Sequence, residues 1–139
     1  MIAMEILDMK KKIFTILGIL LGILIAAAVL FKIRYDKMVS NIESQTLEEV
    51  DLEALNDGVY RGEYGDFLVS VELDVEVSDG RIINIHIVDQ SSGPGYEALE
   101  TVDRILEAQS PQVDAVSGAT GSSRCIMIAV YRALQNGME

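Results

Sequence analysis

Asp114 to Ser123 read DAVSGATGSS, an aspartate followed by two glycines, three serines and a threonine just ahead of an apolar, helix-patterned run. Gly118 and Gly121 permit positive φ and close backbone approach. Ser122 or Ser123 has the right chemistry to cap the helix. The leading amides and dipole of that helix favour an anion, with the Thr120 hydroxyl at the positive end. Local chemistry leaves two readings open, a capped helix start and a phosphate-type anion site. No lysine follows the second glycine, so the nucleotide-binding P-loop pattern is absent. A third reading makes Thr120 or a serine a hydrolase nucleophile. Its base would have to be His86, the one histidine, for which no partner carboxylate is identifiable. The single cysteine, Cys125, excludes a disulfide framework and a cysteine metal cluster, and one histidine excludes a multi-histidine metal site.

The elements that must hold this loop are legible on either side of it. VYRGEYGDF predicts a short strand with a glycine-containing turn. From Phe67 to Val77 the odd positions (Phe67, Val69, Val71, Leu73, Val75, Val77) are apolar. The even ones are polar after Leu68, which predicts a strand with one buried face. Asp79-Gly80 is a hairpin turn signal. The return strand RIINIHIVD puts Ile83, Ile85 and Ile87 on one face and Asn84 and His86 on the other. After the loop SSGPGYEAL, Tyr96, Leu99, Val102, Ile105 and Leu106 recur at helical spacing up to Gln109-Ser110-Pro111. Ile126, Ala129, Val130, Ala133 and Leu134 mark a last helix, beginning at Ser122 or Ser123 and stopping around Asn136-Gly137. The predicted class is α+β, a small antiparallel sheet packed against two or more helices.

Residues 13–31, IFTILGILLGILIAAAVLF, carry no charge over nineteen positions. As a helix they are about 28 Å long, close to the hydrocarbon thickness of a bilayer. The rest of the chain is too small to enclose a helix apolar on every side, so the run predicts a single transmembrane helix. Ala26 and Ala28 have the spacing of a signal-peptidase site, but Val29, Leu30 and Phe31 continue the apolar run, which favours an uncleaved signal-anchor. Lys10, Lys11 and Lys12 on one side nearly balance Lys32, Arg34 and Lys37 on the other. The compact cluster tips the N-terminus slightly toward the cytoplasm. Residues 46–57, TLEEVDLEALND, read as an acidic stalk or short helix, with Thr46 and Glu49 placed for a capping box. Beyond Lys37 there are nineteen acidic and five basic side chains, a net charge of −14 that excludes nucleic acid as a partner.

The run QSPQVDAVSGATGSS, residues 109–123, resembles the signature of the FMN-binding domain family, which includes domains of the Rnf complex and of the sodium-translocating NADH:quinone oxidoreductase. NDGVYRGE, the alternating strand with SDGRI, and RCIMIAVYRAL resemble the same pattern. In that family a flavin transferase joins FMN through its phosphate to the last threonine of Asp-x-x-Ser-Gly-Ala-Thr. Here Asp114, Ser117, Gly118, Ala119 and Thr120 match without departure. The resemblance implies covalent FMN on Thr120, with Ser117, Gly118, Ala119, Gly121, Ser122 and Ser123 around it. Asp114 and Ser117 would be transferase recognition residues, and no residue of the chain would be catalytic. It also implies an electron carrier or redox subunit rather than an independent enzyme, with membrane or extracytoplasmic redox proteins as partners. The domain would sit outside the cytoplasm at the cell membrane, held to lipid by the N-terminal helix. Tyr60, Tyr64, Phe67 and Tyr96 are either flavin-stacking or core aromatics, Tyr96 being the best placed for stacking, and His86 is a flavin contact or a surface residue. The expected division is a short cytoplasmic tail (1–12), a transmembrane signal-anchor (13–31), a juxtamembrane helix and acidic stalk (32–57) and the FMN-binding domain (58–139). The alternative is a non-redox anchored binding module whose SGAT loop only caps a helix.

Overall fold

Asp79 and Gly80 both adopt positive φ, 50° and 68°. That is the backbone twist a two-residue hairpin requires, and Asp-Gly is the pair that tolerates it. The turn joins β2 (Val69–Ser78) to β3 (Arg81–Ser91). β1 (Gly58–Asp66) pairs antiparallel with the other edge of β2, from Gly58 opposite Val77 to Asp66 opposite Val69. The result is a three-stranded antiparallel sheet in the order β1-β2-β3. Val71, Leu73, Val75 and Val77 are all buried, as their alternation predicts. The computed structural model describes residues 1–139, in two compact units, Met1–Asp36 and Lys37–Glu139.

Three strand expectations need correction. β1 runs for nine residues without an internal turn, and the chain reverses at Phe67-Leu68 instead. Asp66 Oδ1 accepts the Phe67 amide at 2.7 Å there, so Phe67 lies outside β2 and is 42% exposed. On β3 the inward residues are Ile82, Ile85 and, half-buried, Ile87, whereas Ile83 is 52% exposed. The register explains this: Val77 faces Ile82 but Glu76 faces Asn84, and Leu73 faces Ile87 but Glu72 faces Asp89. Ile83 and Val88 are the extra residues of two bulges, each of which shifts the inward set by one position.

α2 (Glu100–Ala108) and α3 (Thr120–Met138) complete the α+β layers. α2 is shorter than its apolar spacing suggests, because Ala98 sits at φ +54 and breaks the helical path. Tyr96 and Leu99, both 55% exposed, therefore stay off the buried face. Gln109 ends α2 in the left-handed region. Its amide donates to Ile105 O at 2.8 Å. Its side chain donates to Ile82 O and accepts the Ile82 amide, at 2.9 and 2.8 Å, fastening α2 to β3. α3 begins at Thr120, earlier than expected, and continues through Asn136-Gly137 to Met138. Ile126, Ala129, Val130, Ala133 and Leu134 are fully buried, as their spacing predicts.

In the first unit, α1 (Ile2–Ser44) is long and apolar enough to cross a membrane. Its last residues, from Lys37, belong to the second unit, where Met38 and Ile42 are buried in the core. Residues 46–57 pack on that unit: Leu47 and Leu55 are buried while Glu48, Glu49, Asp51 and Glu53 face water. Thr46 and Glu49 form no capping box, since no helix starts there. Asp51 instead accepts the Glu53 amide at 3.1 Å and caps the single 3-10 turn Leu52–Ala54.

The contact between α3 and β1 is unusually close at Gly62. A Cβ there would stand 1.9 Å from Ala129 O and 2.7 Å from Ala133 N, both backbone atoms. Gly62→Ala should therefore cost about 3 kcal/mol or more, lowering the thermal midpoint of the full chain in detergent by roughly 10 °C or more. Gly121→Ala, with nothing within 4 Å of its Cβ, should be neutral or stabilising. An unchanged midpoint for Gly62→Ala would contradict this packing.

Candidate functional site

Between α2 and α3 the chain passes through the buried Pro111, runs without regular structure to Val116, and turns at Ser117-Gly118. The Ala119 amide closes the turn on Val116 O at 3.0 Å, with Gly118 at φ +79, a conformation that suits glycine. Two side chains hold this loop from opposite ends. Arg104 of α2 donates from Nη1 to Asp114 O at 2.9 Å and to Ala115 O at 3.0 Å. Its Nη2 and Nε both reach Glu100 Oε1, at 2.7 and 3.2 Å. At the other end Ser123 Oγ accepts the Val116 amide at 2.9 Å and donates to Ala119 O at 2.8 Å.

Ser123 is thus a brace within the first turn rather than a cap. Because α3 starts at Thr120, Ser122 and Ser123 fall on its inward side and are buried. Ala119 takes the N-cap position and no side chain caps the helix. The first intrahelical amide bond is Ser123 N to Ala119 O at 3.0 Å, so the amides of Thr120, Gly121 and Ser122 have no protein acceptor. Thr120 is exposed and its hydroxyl makes no hydrogen bond to the protein. The side chains of Asp114 and Ser117 are likewise exposed and unpartnered. A capped helix start, one of the two readings the loop left open, is therefore not what forms.

Arg124, one turn beyond Thr120, shares its helix face and donates to Gln45 O at 2.9 Å. An open groove of about 840 Å³ beside the loop is lined by Arg104, Glu107, Gln112, Asp114, Arg124 and Met127, among others. The Gln112 side-chain amide donates to Leu47 O along the same wall. Arg104 and Arg124 were not singled out from the sequence. The available signal was their rarity: they are two of the five cations beyond Lys37.

The remaining candidates lie elsewhere. Tyr96 stands in the loop before α2, its amide bound to Gly93 O at 2.9 Å, with no hydrogen bond to the Thr120 loop. Tyr60 donates to Asn56 O at 2.6 Å, and Tyr64 is buried with Arg132 4.9 Å from its ring centroid. His86 is the register partner of Asp74 on the outer face of the sheet, opposite to the Leu73 and Val75 face that meets the core. The sheet therefore stands between His86 and α3, and His86 is not placed to act as a base for Thr120.

Residues 67–135 match the family described as the FMN-binding domain, so an FMN-binding domain is present in the chain. The match spans β2, β3, α2, the loop and most of α3. An uncharacterized protein of Treponema pallidum (strain Nichols) is 38% identical over 84 residues, 58% of this chain. The chain spans only 23% of that relative's length. A crystal structure of a Clostridium perfringens protein is similar in fold, with a TM-score of 0.50 at 23% identity, over 60% of this chain and 88% of that one.

Cys125 follows Arg124 on α3 but is no nucleophile. Burial pushes its thiol up to about 12, the Asp66 carboxylate adds to the rise, and Arg124 opposes it. A group so shifted is a neutral thiol throughout the range of ordinary assays. Native protein should leave an aromatic disulfide reagent unreacted at pH 8, and full titration of one thiol should require denaturant. Prompt reaction of the native protein would contradict the buried placement.

Proposed function

We propose that Thr120 carries FMN as a phosphoester and that the chain is a membrane-anchored, extracytoplasmic electron-transfer flavoprotein. The observation that carries this reading is the state of Thr120 within an FMN-binding domain. Its hydroxyl is exposed and unbonded, beside three helix amides that no side chain caps. The residues fit the group: those amides and the α3 dipole favour negative charge at this position, and Arg124 adds a cation on the same helix face. Asp114 and Ser117, exposed and unpartnered at the start and middle of the heptapeptide, are free for recognition by a flavin transferase.

Attachment requires Thr120 Oγ to form a bond to the flavin's phosphorus. The phosphomonoester of FMN offers no competent leaving group, so the donor must be a flavin dinucleotide. Its pyrophosphate P–O bond breaks, AMP departs, and the hydroxyl proton passes to a base of the transferase. When bound, the isoalloxazine supplies one- and two-electron redox chemistry. The chain contributes the tether, the charge environment at Thr120 and, through α1, confinement to a membrane. Confinement lets partner contacts be weak and transient. The net charge of −14 beyond Lys37 makes such encounters sensitive to salt.

The test is the intact mass of the full chain co-expressed with a flavin transferase, beside Thr120→Val. The expected result is a gain of one FMN less water, absent from the variant. An unmodified parent, with the transferase active on another substrate, would overturn the reading and favour a non-redox binding module.

A further inference from the structure

We propose that the Glu100–Arg104 pair of α2 is a positioning device that holds the Asp114–Gly118 segment in the form a flavin transferase recognises. This rests on the reading of Thr120 given above and deepens it.

The geometry carries the assignment. Arg104 lies beside a carboxylate-bearing residue, yet its Nη1 bonds the main-chain carbonyls of Asp114 and Ala115 at 2.9 and 3.0 Å. The Asp114 carboxylate is left exposed and unpartnered. Glu100 takes Nη2 and Nε on a single oxygen, which fixes the plane of the guanidinium and hence the direction of Nη1. The Arg104 side chain is only 32% exposed, so the fork is held by its surroundings rather than waving in water. Ser123 fixes the far end through Val116 N and Ala119 O. Ser117 and Gly118 form the turn that the Ser123 clamp spans, closed by the Ala119 amide on Val116 O. The clamps thus use main-chain atoms to present the side chains of Asp114, Ser117 and Thr120 outward together.

Stability is a poor explanation for such a pair. Glu100 is 61% exposed, and a surface i,i+4 ion pair adds little to folding. Water can replace Arg104 on the exposed Asp114 carbonyl, and the Ala115 carbonyl is only part-buried. What removal changes is the fraction of molecules whose loop is already in the recognised form, and an apparent KM scales inversely with that fraction. A group acting on the transfer chemistry would lower kcat instead.

The experiment uses full-length protein in detergent, expressed without transferase, then incubated with transferase and a flavin dinucleotide. FMN incorporation is followed by intact mass over a range of protein concentrations. Arg104→Gln should raise KM about tenfold or more, with kcat within about twofold of the parent. Arg104→Lys, a point cation that cannot serve two carbonyls and a carboxylate in one plane, should fall between. Hydrogen exchange at amides 115–118 should quicken in Arg104→Gln while that of α3 beyond Arg124 stays unchanged, with the same melting midpoint. If Arg104→Gln fails to fold, Glu100→Gln decides: a raised KM supports the proposal and an unchanged one overturns it. A parental KM for a folded Arg104→Gln, or a loss confined to kcat, overturns it as well. Failure of the parent itself to take up FMN would instead sink the reading of Thr120, and this proposal with it.

Discussion

The seating of α3 on β1 and β2 is the constraint from which the rest of the second unit follows. Gly62 has no side chain because Ala129 O and Ala133 N occupy the space one would need. Ala129 and Ala133 are themselves small and fully buried, so the helix can lie almost on the strand backbone. Close-packed contacts of this kind resist sliding and tilting, since every displacement either clashes or opens a void. Thr120 lies nine residues N-terminal to Ala129, roughly 14 Å along the axis. A small tilt about the Gly62 contact would move the start of α3 much further than the contact itself. The location of the candidate site is therefore set by packing about half the length of α3 away from it.

The loop ahead of α3 is organised by a different economy. Its polar main-chain atoms are satisfied by side chains arriving from neighbouring turns: Arg104 on two carbonyls, Ser123 on one amide and one carbonyl. Gln109 does the same for the end of α2, bonding both backbone groups of Ile82 as a neighbouring strand would. The helix start proper receives none of this. A buried, well-capped start would have left Thr120 merely one more turn residue. An uncapped one leaves the Thr120, Gly121 and Ser122 amides without a protein acceptor.

How far this was legible in the sequence differs from residue to residue. Strict alternation from Val69 to Val77 fixed the buried face of β2, because period-two patterning has a single structural solution when one face is covered. Asp79-Gly80 was equally plain, as few dipeptides accept two positive φ values. The ten-residue run from Asp114 to Ser123 stands out for its unusual density of hydroxyls and glycines. By contrast, Ile83 reads as a core residue until the register is known, since a bulge is a property of two strands together and leaves little trace in one. The Phe67-Leu68 turn was hidden because both residues extend the apolar pattern of the strand beside them. Ser122 and Ser123 read as caps from the sequence for a related reason. A serine near a helix start bonds either its own leading amides or the turn before it, and a shift of two or three residues in the boundary decides which.

Charge is distributed in a way that separates folding from recognition. Glu63, Glu72 and Asp89 face one another across all three strands on the outer side of the sheet. Like charges directly opposed in this way disfavour pairing. Arg61 offsets part of that, binding Asp74 through two oxygens at 2.8 and 2.9 Å and Glu72 at 2.8 Å. Its guanidinium holds the Asp74 carboxyl below the ordinary range, so whatever this pair adds to stability is present at neutral pH and fades as pH falls through that lowered value. The net effect is a solvated face whose negative charge the fold tolerates rather than needs. Arg104 and Arg124 are placed otherwise, against main-chain carbonyls beside the loop. With carboxylates dominating the outer sheet face, the uncapped amides of α3 and the Arg124 guanidinium form a local exception in an otherwise acidic domain, while Arg104 is already paired with Glu100. An anion at Thr120 would meet donors there without the surface as a whole attracting anions. That selectivity is what a covalent phosphate tether would require of the protein around it.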